Sequence, residues 1–301
     1  MPGGEVLTII DALEAAGIQF VLAKHENAAA FMAEGAWHRT GAPGILVATV
    51  GPGALNGVNA VANAHQDRVP LIVIAGAVDA DEAQSYTHQV LDQTAVFTPI
   101  TKASFTFNAG AAHIIADKAV SIALEGRPGP VHIDLPIAVA VAQVPATAPF
   151  ARAPAAPVIP APNVLDQAAD WLSAANRPVI IAGLDAVNED AAAALTEMAE
   201  RFAISVVTTY KAKGLLPEDH ALALGGAGLS PLADTHLLPL IKQADLIICA
   251  GYDPIEMRPD WQNIWDASQV NVIDITAVPN HHYMHQATLN IIGNTPATLN
   301  A

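Results

Sequence analysis

Short runs of apolar, often β-branched residues alternate with longer alanine-rich stretches along the whole chain. The short runs predict strands at Gln19–Ala23, Ile45–Thr49, Leu71–Ala75, Val131–Asp134, Val179–Ala182, Ser205–Thr208, Leu246–Ala250 and Val270–Asp274. They are continuous rather than alternating, which suits strands buried on both faces of a parallel sheet. The stretches between them predict helices that include Leu7–Ala16, Asn27–Arg39, Ala54–Ala64, Ala111–Glu125, Val164–Ala174 and Ala191–Phe202. This βα alternation predicts an α/β fold with two doubly wound parallel-sheet domains.

The pattern breaks between Ile137 and Pro162, where Ala, Pro and Val dominate and prolines stand at 145, 149, 154, 157, 160 and 162. Such a stretch cannot hold a helix and reads as an extended, semi-rigid linker. We place the linker at residues 141–162, one domain at 1–140 and the other at 163–301. No internal repeat of solenoid period is visible.

Composition narrows the class. Of the 301 residues, 52% are hydrophobic and 14% charged, which is material for two cores and too apolar for a disordered acidic chain. A formal net charge of -16 argues against nucleic acid and anionic membranes as partners, since both need a basic surface. The single cysteine, Cys249, excludes an intrachain disulfide and fits a reducing compartment. It sits in an apolar run and reads as an inert core thiol. No leader-like start and no apolar run near 18 residues is present, so a soluble, cytoplasmic protein is expected.

The candidate chemistry begins at Glu26, which follows a predicted strand and opens a predicted helix. About 25 residues later the turn Gly51-Pro52-Gly53-Ala54-Leu55-Asn56 marks a second strand-to-helix junction. Open α/β sheets bind ligands at such junctions, and glycines there let backbone approach a ligand closely. Taken singly, Glu26 reads as a carboxylate favouring a helix N-terminus, and the turn as an ordinary tight turn. The turn is neither a Walker loop nor Gly-x-Gly-x-x-Gly. Gly225-Gly226-Ala227-Gly228 reads as a loop. His281-His282-Tyr283-Met284-His285 lacks a third and fourth ligand nearby, so no metal site is expected. His88-Gln89 lies in a polar loop and is uninformative alone.

Together these pieces resemble the thiamine diphosphate-dependent acetolactate synthase family. Lys24-His25-Glu26 resembles its Arg-His-Glu motif, and Thr49-Val50-Gly51-Pro52-Gly53-Ala54-Leu55-Asn56 its Thr-Ser-Gly-Pro-Gly-Ala-Thr-Asn. Pro2-Gly3-Gly4 through Leu13 is similar to the loop and helix after the family's first strand. Ala64-x-x-Asp67-x-x-Pro70 and Gly126-Arg127-Pro128-Gly129-Pro130 continue the likeness. Lys213-Gly214-x-Leu216-Pro217 and Gly251-Tyr252-Asp253-Pro254-Ile255-Glu256 are similar to its central domain. The Tyr-Asp-Pro-Ile-Glu run and Phe97-x-Pro99-Ile100-Thr101-Lys102 resemble the catabolic, flavin-independent branch most.

The resemblance implies a pyrimidine-binding domain followed by a central domain. It implies that Glu26 hydrogen-bonds the cofactor's pyrimidine ring and favours its imino tautomer, while Pro2, Gly3, Thr49, Gly51, Pro52 and Asn56 line the cofactor. That role calls for apolar surroundings and a raised Glu26 pKa. Gln89 matches the family's active-site glutamine, which favours carboligation over aldehyde release. No Gly-x-Gly turn follows Ala182, so FAD is not expected.

Relative to the family, the first helix and strand are missing, which predicts an exposed sheet edge. Nor does Gly-Asp-Gly with a distal Asn occur, so the diphosphate- and Mg2+-binding domain is expected to come from elsewhere, either a second copy or a related chain. The implied reaction is decarboxylation of a 2-oxo acid such as pyruvate, then carboligation, with the isolated chain inactive. Another thiamine diphosphate-dependent acyltransferase or decarboxylase, or a non-catalytic partner module, are the alternatives.

Overall fold

The computed structural model describes residues 2–147 and 155–301. The chain forms two compact units, Met1–Ala153 and Pro154–Ala301. Residues 148–154 of the expected linker lie outside the described residues.

The first unit contains α1 (Leu7–Ala15), α2 (Glu26–Thr40), β1 (Gly44–Ala48), α3 (Pro52–Leu55), α4 (Val58–Gln66) and β2 (Leu71–Ala77). It continues with α5 (Gln93–Phe97), β3 (Ala103–Thr106), α6 (Ala112–Leu124), β4 (Val131–Pro136) and α7 (Ile137–Val141). Its four strands are parallel, in the order β1-β2-β4-β3. Alternate residues of each strand serve opposite faces, as a pleated strand requires. Leu71, Val73 and Ala75 pack with Ala30, Ala33, Val61 and Ala64 of α2 and α4. Ile72, Ile74, Val131 and Ile133 pack on the other face with Ala119 and Ala123 of α6. The alanine-rich helices can lie close to the sheet. A Cβ on Gly44 would stand 2.2 Å from the Ala33 carbonyl oxygen, so β1 and α2 meet backbone to backbone.

The second unit contains α8 (Pro162–Ala174), β5 (Pro178–Ala182), α9 (Leu184–Asn188), α10 (Ala192–Phe202), β6 (Ser205–Thr209) and β7 (Ala223–Ala227). It ends with α11 (Pro231–Ile241), β8 (Leu246–Ala250), β9 (Asn271–Thr276), β10 (Leu289–Ile292) and α12 (Thr295–Asn300). Its six strands, also all parallel, run β10-β9-β8-β5-β6-β7. Winding goes outward in both directions from the β5/β8 pair, and two core clusters cover the two faces. The doubly wound, parallel α/β class read from the sequence is therefore the observed one.

Several elements differ from expectation. Gln19–Ala23 carries no ladder and its apolar side chains are largely exposed, although its composition suits a strand. A groove of about 490 Å³, lined by Ile18, Phe20, Val21 and residues 44–47 of β1, separates it from the nearest strand, so its backbone finds no partner. The expected loop at Gly225–Gly228 instead contains most of β7, an edge strand whose register on β6 shifts between Val206 and Val207. Gly225 has φ +96°, a conformation glycine adopts without strain. The expected helix Ala54–Ala64 is two helices, because Asn56 and Gly57 interrupt it between α3 and α4. The short strands β3 and β10 and the helix α11, with Pro239 inside it, fall outside the expected elements, and α7 occupies the start of the stretch expected to hold no helix, ahead of its first proline.

Among the described residues β1 is an edge strand, and Phe20, Val21 and Leu22 stand exposed across the groove from it. Unpaired backbone beside exposed apolar side chains templates association. We expect concentration-dependent self-association in sedimentation velocity. Val21→Lys with Leu22→Lys should reduce it while changing stability by no more than about 0.5 kcal/mol. A wild-type chain that stays monomeric at every concentration would contradict this.

Candidate active site

The first unit gathers its polar residues where the carboxyl ends of β1, β2 and β4 approach the start of α2. Glu26 is the first residue of that helix. His25 caps it, its Nδ1 accepting the Asn27 N–H at 3.1 Å. Asn27 in turn accepts the Ala60 N–H through its side-chain oxygen at 3.1 Å, tying α2 to α4. The Glu26 carboxylate is buried to 5% exposure, and Asn56 Nδ2 donates to its Oε2 at 3.0 Å. Thus the two motifs separated in sequence meet through one hydrogen bond.

The glycine turn completes the wall. Gly51 has φ +63° and ψ −116°, a backbone state that strains any side chain, and a Cβ there would come within 3.0 Å of the Gln89 carbonyl oxygen. A Cβ on Gly53 would lie 2.3 Å from Thr49 Cγ2 and 3.7 Å from Glu26 Oε1. Pro52 opens α3, where its missing N–H costs nothing. Thr49 Oγ1 donates to Glu5 Oε2 at 2.6 Å, and Gly3 packs against both, since a Cβ on it would strike Thr49 Oγ1 at 2.2 Å. Gln89 itself has φ +59°.

Glu26, Thr49, Gly51, Gly53, Asn56 and the backbone of Gln89 therefore form one cluster, which Gly3 and Glu5 join through Thr49. Pro2 is exposed beside Gly3. Glu5 and Gln93 were not singled out in the sequence. Gln93 carries no motif signal, because its role rests on long-range partners.

The electrostatics of Glu26 depart from expectation. Burial pushes its carboxyl up, but the hydrogen bonds it accepts, Asn56's among them, outweigh burial and hold it below the ordinary carboxylate value. Apolar neighbours alone predicted the opposite sign. Hydrogen bonds to the charged form, of which Asn56's is one, together set the sign.

The second unit has its own crevice at the carboxyl ends of β5 and β8, the switch point of a doubly wound sheet. Glu256 fills it. Its carboxylate accepts from the Leu184 N–H at 3.1 Å and from Thr209 Oγ1. The loops also close tightly: a Cβ on Gly183 would lie 2.6 Å from Tyr252 Cα. Burial first, with Asp253 nearby, pushes the Glu256 carboxyl up to about 7 against its hydrogen bonds. Cys249 is buried, and burial raises its thiol well above the ordinary value. His285 packs against Tyr252, Trp265 and His282, and burial with His282 nearby pushes it down to about 3. Among the described residues no group of three potential metal ligands gathers.

Comparison with known proteins identifies the family. Residues 1–96 match the family described as thiamine pyrophosphate enzyme, N-terminal TPP binding domain, and residues 165–301 match the thiamine pyrophosphate enzyme central domain. The class is thus that of enzymes built around thiamine pyrophosphate, another name for thiamine diphosphate. The chain is 36% identical over 259 residues to acetolactate synthase isozyme 1 large subunit of Escherichia coli (strain K12), covering 83% of this chain and 44% of that protein. It is 33% identical to acetolactate synthase of Bacillus subtilis (strain 168), covering 100% of this chain and 52% of that one. With catabolic acetolactate synthase of Raoultella terrigena the identity is 30%, over 99% of this chain and 53% of the relative. The chain belongs to the thiamine diphosphate-dependent, acetolactate synthase-like family, and it spans about half the length of the curated relatives it matches.

Two outcomes follow from these carboxylates. Asn56→Ala should raise the Glu26 pKa, read by carboxyl carbon NMR titration, and an unchanged value would show that Asn56 does not tune it. For Glu256 the native carboxyl, near 7, holds its proton where an unfolded one, near 4.5, has lost it. Its contribution is therefore greatest below pH 4.5 and is lost as pH rises to about 7, by on the order of 3 kcal/mol. Urea unfolding of Glu256→Gln should lack this slope, and a slope equal to that of the wild type would refute the assignment.

Proposed function

We propose that this chain supplies the pyrimidine-recognising side of a thiamine diphosphate site in an acetolactate synthase-like enzyme. The reaction would be decarboxylation of a 2-oxo acid, pyruvate first among them, followed by carboligation. The observation that carries the reading is the hydrogen bond from Asn56 to Glu26 beside the Gly51-Pro52-Gly53 turn. A buried carboxylate, oriented by an amide and flanked by bare backbone, suits a flat ring carrying N–H groups. The residues present thus fit the pyrimidine end of the cofactor.

When bound, thiamine diphosphate supplies the nucleophilic carbon for such chemistry. The chain's part is to bind and orient. Glu26, held ionised at neutral pH, would accept a ring N–H and take up proton density at that carboxylate. Asn56 would keep the carboxylate in one rotamer, so the acceptor is in place before the ligand arrives. Gly51 and Gly53 would let main chain line the ring closely. Gln89 would offer a neutral amide to substrate oxygens without titrating. Pro2, Gly3 and Thr49 would complete the lining, steadied by the Thr49–Glu5 hydrogen bond.

Most affinity for the diphosphate would come from Mg2+ and backbone donors outside the two units. The large-subunit designation of the Escherichia coli relative supports an assembly of several chains. We further propose that the second unit holds no flavin, since Glu256 and the Gly183/Tyr252 contact fill the crevice a dinucleotide would need. Among the described residues no helix is long and apolar enough to cross a membrane.

The test is an NMR titration of the chain with thiamine diphosphate and Mg2+, combined with a pyruvate turnover assay. We expect shifts at Glu26, Gly53 and Asn56 that saturate only near about 1 mM, the affinity of a half site. Glu26→Gln should abolish them, and no turnover should occur. Tight saturation with turnover by the chain alone would overturn the half-site reading, and shifts unaffected by Glu26→Gln would remove Glu26 from the site.

A further inference from the structure

We infer that Gln93 is a positioning residue for this site, fixing the Gly51 peptide to the carboxyl ends of β2 and β4. The functional part of this inference rests on the reading above. Gln93 is the first residue of α5, held there by Asp92, whose Oδ1 caps the helix on the Ala95 N–H at 2.9 Å. Its side chain is 1% exposed. Its Oε1 accepts the Gly51 N–H at 2.8 Å, while Nε2 donates to the Gly76 carbonyl at 3.0 Å and to Asp134 Oδ1 at 2.6 Å.

A carboxamide has one acceptor atom and two N–H donors, and here each faces a complementary partner. Rotating the amide by half a turn would set donor against donor at Gly51 and oxygen against oxygen at Gly76 and Asp134. Its orientation is therefore fixed. Asp134 is held in turn by Thr94 Oγ1 at 3.3 Å, and it faces His132 Nε2 at 3.4 Å. His132 stacks on Phe97 and hydrogen-bonds Ser104 at 2.7 Å, which carries the network to β3.

The network matters to the site because Gly51 begins the turn in a conformation that ordinary helix or strand bonding does not stabilise. The N–H that Gln93 holds belongs to the peptide preceding the φ of +63°. If that peptide is free to turn, Gly53 and Asn56 lose their fixed distance from Glu26. Buried as it is, Gln93 acts through the turn and touches no ligand.

The test uses the full chain as wild type, Gln93→Met and Gln93→Glu. Methionine keeps the length but offers no donor and only a weak sulfur acceptor. The introduced glutamate sets a second carboxylate against Asp134 at neutral pH, and recovers one donor only when protonated. Below its unfolding temperature, Gln93→Met should exchange the Gly51 amide hydrogen at least about tenfold faster, with Ile74 and Ile133 unchanged. It should also need about tenfold more thiamine diphosphate for the same shift at Asn56. Gln93→Glu should show both defects near pH 8 and lose them at about pH 5, a recovery that a merely space-filling role would not produce. It also serves as the readout if Gln93→Met does not fold. Wild-type exchange at Gly51 and wild-type ligand response in the folded variants would overturn the inference. If the wild type itself shows no thiamine diphosphate shifts, the cofactor reading fails while Gly51 exchange still decides the role of Gln93.

Discussion

The site depends on the hydrogen bond between the Gly51 amide and the Gln93 carboxamide. Parallel strands end together on one side of a sheet, so their following loops crowd into one crevice and leave polar backbone groups there without ladder partners. In this crevice one buried amide answers two such needs, at Gly51 and Gly76, and also binds the Asp134 carboxylate. The Gly-Pro-Gly turn can then hold its positive-φ start, and Asn56 arrives within hydrogen-bond distance of Glu26. Removing that amide would leave the sheet formed but the crevice unspecified.

Close packing sets the stage for this geometry. Ala30 and Ala33 let α2 lie against β1, where Gly44 has no room for a side chain. That approach delivers the first turn of α2, with Glu26 on it, to the strand ends. Larger side chains at these positions would lift the helix and carry the carboxylate away.

The two units show contrasting uses of one architecture. In the first, a carboxylate stands at the strand ends and is held charged by the hydrogen bonds it accepts. In the second, Glu256 is drawn into the switch-point crevice, bonded to main chain and to Thr209, and pushed toward neutrality by burial. The difference is solvation and partner chemistry rather than residue type. The hydrogen bonds that Glu26 accepts outweigh burial and favour its ion, whereas at Glu256 burial outweighs them.

Local sequence determined the elements whose partners do not matter to their identity. Continuous apolar runs specified buried parallel strands, alanine-rich stretches specified helices, and Glu26 with Gly51-Pro52-Gly53 marked the junctions where a ligand would sit. Tertiary structure decided what depends on neighbours. Gln19–Ala23 has a strand's composition, yet without a strand beside it no ladder forms. Gly225–Ala227 has a loop's composition, yet β6 recruits it as an edge. Asn56, thirty positions away, is one of the hydrogen-bond donors that lower the Glu26 pKa, and the role of Gln93 came from partners at or beyond the ends of three strands. Periodicity reports which faces are apolar. It carries no record of which backbone groups will lack a partner once the strands are paired, and that requirement selects residues such as Gln93.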